Sequence, residues 1–407
     1  GDDFPAWEQF YADTATLAAA LFPGVTDPLI TRSEAKAHLR TATGDDSLWN
    51  RFIDNPIGED IQRSFENDLV RGVVLTDGLI GTFAPNIDPQ LDANKCFLYH
   101  VIGGGTGDWD VPIGGMGAVS GALAHAARDA GATLVSDATV TAISDDKVVT
   151  FTRGADTHSI RGRYVLVNAS PQELELLRGR ELHTPAAEGA QVKVNMVLSR
   201  LPRLKDSSLS PEAAFGGTFH INETWSQLDD AFQSAESGVI PRLLPCEIYC
   251  HSLTDPSILS PELQESGAHT LTVFGLHAPH RLTATMGPDA LRSALQEAVV
   301  ASLNSVLAEP LDEVLLLDGE GRPCIETKTT ADLEDALKLP GGNIFHGPLE
   351  WPFVEDDADL STPEQRWGVG TADHGILLCG SGARRGGAVS GIAGHNAAMA
   401  VLESEGF

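Results

Sequence analysis

The sequence predicts an α/β protein of the mixed α+β kind, in which helices and strands build two interwoven domains. Apolar residues recur at helical spacing over residues 4–22, 33–41 and 59–69. Short runs rich in β-branched residues follow from residue 133 onward and predict strands. A last strand at 375–379, a glycine-rich turn and a last helix at 389–403 follow the strands of the middle of the chain. They resemble the strand-and-helix stretch over residues 118–167 more than the strands over residues 192–274. The chain is therefore expected to leave one domain and to return to it.

Turn signals place the remaining elements. A glycine-rich loop over residues 103–117 leads into a helix at 118–130, which Gly131 is expected to end. The runs at 133–135, 148–151 and 164–167 are assigned to one nucleotide-domain sheet. The runs at 192–198, 244–249 and 269–274 are assigned to a second sheet, with helices near 223–235 and 288–307 beside it.

Composition limits the classes of partner. The 407 residues include 57 acidic and 27 basic side chains, a net charge of -30, which repels nucleic-acid phosphates and anionic lipid. No nucleic-acid partner is predicted, and without a run of about 18 apolar residues no stable membrane insertion is predicted either. Five scattered cysteines favour a reducing compartment, so we expect a cytoplasmic protein. Cys246 and Cys250, spaced C-x3-C, are expected to be structural.

The strongest local signal is the glycine-rich segment 380–394, which lies between a predicted strand and a predicted helix. Six glycines in fifteen residues are tolerable only where the backbone takes unusual angles or approaches another group closely. A helix N-terminus offers unpaired N–H groups and partial positive charge, which suit a phosphate or a flavin carbonyl. The alternative is a strand-to-helix packing turn with no ligand, and the pattern leaves both open.

Two other glycine motifs differ in context. The run from Gly103 to Gly107 imitates a dinucleotide fingerprint, but Asp108 and Pro112 oppose a phosphate and a helix start, so we reject it. Gly114-Gly115-Met116-Gly117 does lead directly into a helix. It is equally well explained by a tight helix entry and by a position beside a cofactor.

Lys193 is the one candidate catalytic residue. It interrupts the apolar strand 192–198, where a charged amine is costly to bury without a purpose. Strand alternation alone could instead point it to solvent. The histidines show no metal-ligand spacing and no Ser/His/Asp arrangement appears, so no metal site is predicted.

Several separated motifs carry a family resemblance. They are Gly114-Gly115-Met116-Gly117, Val167-Asn168-Ala169-Ser170-Pro171, Leu339-Pro340-Gly341-Gly342-Asn343 and Leu378-Cys379-Gly380-Ser381-Gly382-Ala383. In this order the chain resembles the phytoene-desaturase-like flavoproteins of the carotenoid oxidoreductase and amine oxidase superfamily. The resemblance is strongest to the branch of pyridine nucleotide-disulfide oxidoreductase domain-containing protein 2, and it extends from about Phe52 to the C-terminus.

That resemblance implies a discontinuous FAD/NAD(P)-binding-type domain and a substrate domain with a mixed sheet and helices. Residues 1–105 would be the helical part of the substrate domain, 106–185 a segment of the FAD-binding-type domain, 186–365 the sheet-bearing substrate domain and 366–407 the C-terminal FAD-binding-type segment. The cofactor would be FAD. The implied activity is an oxidoreductase, a dehydrogenase, desaturase or oxidase, acting on a C–C or C–N bond of a small or apolar substrate molecule.

The same resemblance implies roles for individual residues. Lys193 would lie near the flavin N5. Val140 would contact the adenine, and Gly380 and Ser381 the pyrophosphate and ribityl chain. Val389, Gly391 and Ile392 would lie at the isoalloxazine ring, and Gly386 and Gly387 are the remaining cofactor-binding positions.

Two departures from the family pattern bear on this interpretation. Arg384-Arg385 stands where the family has His-Pro, which would add positive charge near the diphosphate. The first βαβ unit, with its G-x-G-x-x-G fingerprint, is expected ahead of residue 1, and that segment is a candidate partner. The rival hypothesis is a flavin-free binding or regulatory protein that keeps the flavoprotein fold.

Overall fold

A computed structural model describes residues 1–106, 111–183, 185–386 and 390–407. Its first part is a layer of helices packed around large aromatic side chains. Phe10, Phe52 and Phe97 contact one another, with ring centroids 5.6 to 6.1 Å apart. The helices are α1 (Phe4–Leu21), α2 (Pro23–Thr26), α3 (Arg32–Thr43), α4 (Ser47–Trp49), α5 (Ile57–Ser64), α6 (Asp68–Thr76) and α7 (Asp92–Val101).

One predicted helix of this layer is two helices. The pattern over residues 59–69 indicated a single helix, but the chain is extended at Phe65 and Asn67. The side chain of Asn67 accepts hydrogen bonds from the backbone N–H groups of Leu69 and Val70 and so begins α6 anew. The apolar spacing could not show this break, because both helices bury their apolar residues in the same core.

The predicted substrate sheet is present as a five-stranded sheet of order β6-β7-β8-β5-β9. All pairings in this sheet are antiparallel, so the expectation of mixed strand directions is wrong. Strand direction depends on how the strands are connected, and the residue pattern within a strand does not show the connections. One face packs on the long helix α15 through Val194, Val273 and Leu295. The elements are β5 (Val192–Leu198), α10 (Pro211–Phe215), β6 (Phe219–Ile221), α11 (Trp225–Glu236), β7 (Cys246–Tyr249), α12 (His251–Thr254), α13 (Pro261–Glu265), β8 (His269–Gly275), α14 (Leu282–Met286), α15 (Pro288–Val306), β9 (Ile325–Lys328) and α16 (Thr330–Leu337).

The remaining segments form the nucleotide-type part. Strands β4 and β10 form a parallel pair, and β1, β2 and β3 form a separate antiparallel sheet. The prediction that residues 148–151 and 164–167 share one sheet is therefore wrong. Strands that are neighbours in sequence can form a hairpin sheet of their own, and the residue pattern of a strand does not show which sheet the strand joins. The elements are α8 (Gly115–Asp129), β1 (Thr139–Ile143), β2 (Val148–Arg153), β3 (Asp156–Arg161), β4 (Val165–Val167), α9 (Pro171–Leu177), α17 (Pro363–Arg366), β10 (Ile376–Leu378) and α18 (Ile392–Ser404).

The predicted strand at 133–135 is not a strand. Leu134 and Val135 are each about half exposed, and no residue of the preceding helix α8 is buried. An isolated β-type run has no ladder to join, because the strands described in the structure pair elsewhere. Gly131, with φ of +89°, does end the α8 turn as predicted.

Among the described residues, no helix is long and apolar enough to cross a membrane. All five cysteines are free, including Cys246 and Cys250, which are both buried. The structural interpretation of the C-x3-C spacing is therefore confirmed.

Candidate functional site

Lys193 lies on the side of the five-stranded sheet away from α15. Along β5, Val192, Val194 and Met196 are buried in the core, whereas Lys193 alternates to the other face and remains partly exposed. Its Nζ lies 5.5 Å from the centroid of the Phe274 ring on the neighbouring strand. The side chain is thus held on a structured surface beside an aromatic ring, a geometry that favours a cation.

We call this surface the open sheet face. Strand register sets a row of directly opposed residues across it, so that their side chains project to the same side. The row runs His220, Glu247, Phe274, Lys193 and Lys328. A parallel row beside it includes Tyr249, Thr272, Asn195 and Glu326.

A cavity of about 500 Å³ opens along the strand that carries Lys193; it is lined by residues 195–197 of that strand and not by Lys193 itself. Its volume lies in the range of small-molecule sites. Burial, and after it the charge of Lys193, lowers the pKa of His251, so the ammonium acts on a group that lines the cavity. The lining side chains from the open sheet face and its surroundings include Asn195, Thr270, Thr272, Cys324, Glu326, His251 and Ile258.

The glycine-rich start of α8 reaches the edge of this cavity. The backbone N–H of Gly114 donates to Asp255 Oδ2 over 2.7 Å, and Gly115 lies against Ile258, which lines the cavity. Gly114 and Gly115 have φ of +84° and +67°, angles that favour glycine. The structure therefore places Gly114 and Gly115 against residues 255–258, of which Ile258 lines the cavity.

The C-terminal glycines divide into two groups by what a side chain would meet. An added Cβ at Gly380 would lie 1.8 Å from Asn168 Oδ1, and one at Gly386 would lie 2.4 Å from the Gly380 carbonyl oxygen. Contacts within the protein therefore explain these two glycines. Gly391 caps the start of α18 and has nothing within 4 Å of that position, so no contact among the described residues explains it.

The other predicted cofactor residues are scattered. Ser381 lies in the same turn as Gly380, and Ile392 begins α18 and packs against the helical core. Val140 lies on the exposed strand β1, opposite Phe151. Gly387 and Val389 fall outside the described residues.

Arg384 and Arg385 are held by the protein itself. Arg385 is almost fully buried and donates to the carbonyl oxygens of Gly24, Asp27 and Trp367 over 2.5 to 2.7 Å. Arg384 pairs with Glu350 and donates to the Phe353 carbonyl. The positive charge expected near the diphosphate is engaged by these contacts, which join the C-terminal turn to residues 24–27 and to residues 350–367.

Sequence reasoning missed a buried acidic group at one end of the open sheet face. Glu223, between β6 and α11, accepts from His220 Nδ1 over 2.5 Å, and Thr76 Oγ1 lies 3.4 Å from the same oxygen. Glu247 is buried on the adjacent strand. The only signal in the sequence was a glutamate inside the apolar strand run 244–249.

No group of three or more histidine, cysteine or acidic side chains in the described part of the chain could hold a metal ion.

Comparison with known proteins shows high sequence identity to one group of mycobacterial proteins. Rv0897c of Mycobacterium tuberculosis, an uncharacterized protein, is 54% identical over 405 residues, which are 98% of this chain and 75% of that protein. Mb0921c of Mycobacterium bovis, also uncharacterized, matches to the same extent. The chain belongs to the family of these mycobacterial proteins. No family model matches the sequence.

More distant matches agree with the resemblance to the branch of pyridine nucleotide-disulfide oxidoreductase domain-containing protein 2. Pyridine nucleotide-disulfide oxidoreductase domain-containing protein 2 is 29% identical in Mus musculus over 375 residues and 30% identical in Rattus norvegicus over 376. The chain spans 60% of the length of each, and the match covers 85% of the chain. A solved structure of a putrescine oxidase mutant, made in a redesign of its cofactor binding, superposes with a TM-score of 0.51 over 98% of this chain and 75% of that one, at 13% identity. The chain therefore has the fold of that oxidase, which confirms the predicted fold class.

Proposed function

We propose that the protein is an FAD-dependent oxidoreductase of the phytoene-desaturase-like kind, which removes a hydride equivalent from a C–C or C–N bond. The observation that carries this proposal is the position of Lys193, on a structured sheet face and on the same strand as residues 195–197, which line a cavity of about 500 Å³. The fold shared with an oxidase whose cofactor binding was redesigned supports it. The substrate is a small molecule that fits that cavity.

The described residues are compatible with a flavin. Gly391 leaves open space at the start of the 13-residue helix α18, where backbone N–H groups have no intrahelical partner. Beside Gly382, where an added Cβ would lie 3.5 Å from His346 Cβ, His346 has a buried Nδ1 with no hydrogen-bond partner among the described residues. Flavin contacts are proposed for Val140, Gly380, Ser381, Gly386, Gly387, Val389, Gly391 and Ile392.

In this proposal a bound flavin supplies the hydride acceptor. The protein supplies position and charge. Lys193 holds a positive charge on the strand that lines the cavity, and this charge would stabilise negative charge that develops during electron transfer. Asn195 and Thr272 share a hydrogen bond of 3.2 Å beside it and give the cavity fixed polar groups that orient a substrate.

The complete dinucleotide site is proposed to include a further segment packed on α8. Met116 and Leu123 are each more than half exposed on one side of this helix, and Leu134 and Val135 continue the apolar surface. A βαβ unit with a G-x-G-x-x-G fingerprint would cover α8 and give residues 133–135 a strand partner. The domain boundaries expected from the sequence belong to the same proposal.

The rival function, a flavin-free binding protein, is favoured by one observation: Gly380 and Gly386 are explained by packing without a ligand. Visible absorption separates the two functions. The 407 residues alone are expected to purify with little or no flavin, and co-expression with the fingerprint segment is expected to yield a yellow protein. A colourless complex that also fails to take up added FAD would favour the binding protein.

A further inference from the structure

A second cavity lies at the end of the five-stranded sheet and has no role in the proposed redox step. Its volume is about 520 Å³, in the range of small-molecule sites. Successive residues of a strand point to opposite faces, so His269 and Thr270 do so on β8. His269 lines this second cavity and Thr270 lines the first, so the sheet separates the two. We call it the arginine cavity; its lining residues are Arg200, Leu201, Arg203, Pro211, Glu212, Gly267 and His269.

One buried carboxylate holds both arginines of this cavity. Glu309, which follows α15, accepts from Arg200 Nη1 over 2.6 Å and from Arg203 Nε and Nη2 over 3.0 and 2.6 Å. The backbone N–H of Arg203 donates to the same carboxylate over 3.0 Å. The hydrogen bonds from Arg200, and then those from Arg203, lower the pKa of Glu309, so this carboxylate stays charged. Both guanidinium groups are therefore oriented before a ligand binds.

Both guanidinium groups keep further N–H groups to donate. Arg200 Nε and Nη2 and Arg203 Nη1 make no hydrogen bond with any described residue. The two side chains are 50% and 71% exposed, whereas the Glu309 side chain is 4% exposed, so a ligand reaches the arginines and not the carboxylate. Two positive charges and one negative charge leave a net positive charge. The planar fork of N–H groups on each arginine matches the geometry of a carboxylate.

His269 adds a neutral donor to the arginine cavity. Burial lowers the pKa of its imidazole, and the charge of Glu212 opposes this only in part. His269 Nδ1 lies 3.2 Å from Ser252 Oγ, which accepts from the Thr270 backbone N–H over 3.0 Å. The serine hydroxyl can therefore donate its hydrogen to Nδ1, which leaves the imidazole hydrogen on Nε2. In this tautomer, His269 Nε2 can donate to a ligand.

The charges around the cavity favour a ligand with a single negative charge. Glu212 also lines the cavity, and the whole chain carries a net charge of -30, so a dianion is repelled more strongly than a monoanion. A cation would be repelled by the two guanidinium groups. Leu201 and Pro211 supply apolar wall, and about 520 Å³ leaves room for an organic body beyond the anionic group.

We propose that the arginine cavity binds a small organic carboxylate, which is held by Arg200 and Arg203 and accepts a hydrogen bond from His269. The sheet separates this site from the cavity assigned to the substrate, so the carboxylate is distinct from the molecule that is oxidised. The proposal therefore goes beyond the oxidoreductase function and does not depend on a bound flavin.

Calorimetric titration of the 407-residue chain with hexanoate at low ionic strength tests this proposal. Hexanamide has the same length and no charge. We expect hexanoate to bind at least about 10-fold more tightly than hexanamide, because the guanidinium groups form charge-assisted hydrogen bonds only with the carboxylate. Arg200→Met and Arg203→Met should each remove most of that preference. Glu212→Gln should strengthen hexanoate binding about 2- to 5-fold, because it removes a like charge from the cavity wall.

Arg161→Met is the matched control, because the side chain of this arginine on β3 is 66% exposed, similar to the 71% of Arg203. This variant should bind hexanoate as the wild-type protein does. Circular dichroism checks the folding of each variant, and Glu212→Gln leaves the contacts of Glu309 in place if an arginine variant does not fold.

Three results would overturn the proposal. They are equal affinity for hexanoate and hexanamide, a hexanoate preference that survives in both folded arginine variants, and unchanged hexanoate affinity in Glu212→Gln. Inorganic phosphate that displaces hexanoate at an equal or lower concentration would overturn the assignment to a carboxylate. None of these results bears on the proposed oxidoreductase function, because FAD content is measured separately by absorption.

Discussion

Acid is expected to lower the free energy of unfolding of this protein through the titration of His277. The residue is fully buried, and neither ring nitrogen has a hydrogen-bond partner among the described residues. Its ring lies between Phe83 and Phe232, with centroids 5.9 and 5.7 Å away, and burial lowers its pKa to about 3 from 6.5. The unfolded chain takes up this proton near pH 6.5 and the folded protein only near pH 3. The contribution of His277 to stability is therefore complete above pH 6.5 and is lost as the pH falls toward 3.

His277→Phe removes the titrating group and keeps an aromatic ring between the two phenylalanines. Between about pH 7 and pH 4, the wild-type protein is expected to lose roughly 3 kcal/mol of unfolding free energy that the variant retains, because each pH unit below 6.5 corresponds to about 1.4 kcal/mol. Urea unfolding of both proteins at several pH values measures this difference, and carboxylates common to both cancel. A difference that does not change with pH would refute the reasoning, since it would mean that His277 titrates alike in the folded and unfolded states.

Three further predictions concern the candidate site and its support. In the flavin-bound protein, Lys193→Met should leave the rate of anaerobic flavin reduction nearly unchanged and slow reoxidation by oxygen about 10-fold. Stopped-flow timing of each half-reaction measures the two rates. If both rates are unchanged, Lys193 has no part in the mechanism. Gly391→Leu should abolish flavin binding without lowering the melting temperature. Gly380→Ala should lower the melting temperature, because Asn168 must move to make room for the added Cβ. Flavin that stays bound to the Gly391→Leu variant would make Gly391 an ordinary surface residue. Arg385→Met should cost on the order of 3 kcal/mol in chemical denaturation by leaving three carbonyl oxygens without their donor, and a negligible loss would show that water replaces it.

Local patterns predicted the parts of this molecule that depend on local physics. The alternation of Val192, Lys193 and Val194 predicted a strand and left the lysine side open, and register with Phe274 then decided where the side chain lies. The apolar run 4–22 and the glycine at 131 gave helix limits close to those observed. In each case the residues that determine the element are neighbours in sequence.

Features assembled from distant segments could not be predicted in this way. Glu223 reaches Thr76 and His220 only because the end of a helix lies against strand β6, and a single glutamate in an apolar run gives no indication of its neighbours. Arg385 was expected only to add positive charge near the diphosphate, because the carbonyl groups that bind it belong to residues 24, 27 and 367, which are distant in sequence. The run at 133–135 has the composition of a strand, but a strand also requires a partner.

FAD content measures the central claim most directly. We would purify the protein alone and together with the fingerprint segment, then determine bound FAD by absorption and by release on denaturation. The proposal predicts stoichiometric FAD in the complex, and little in the 407 residues alone. A complex that is folded by circular dichroism, assembled by size-exclusion chromatography and free of FAD even after incubation with the cofactor would contradict it.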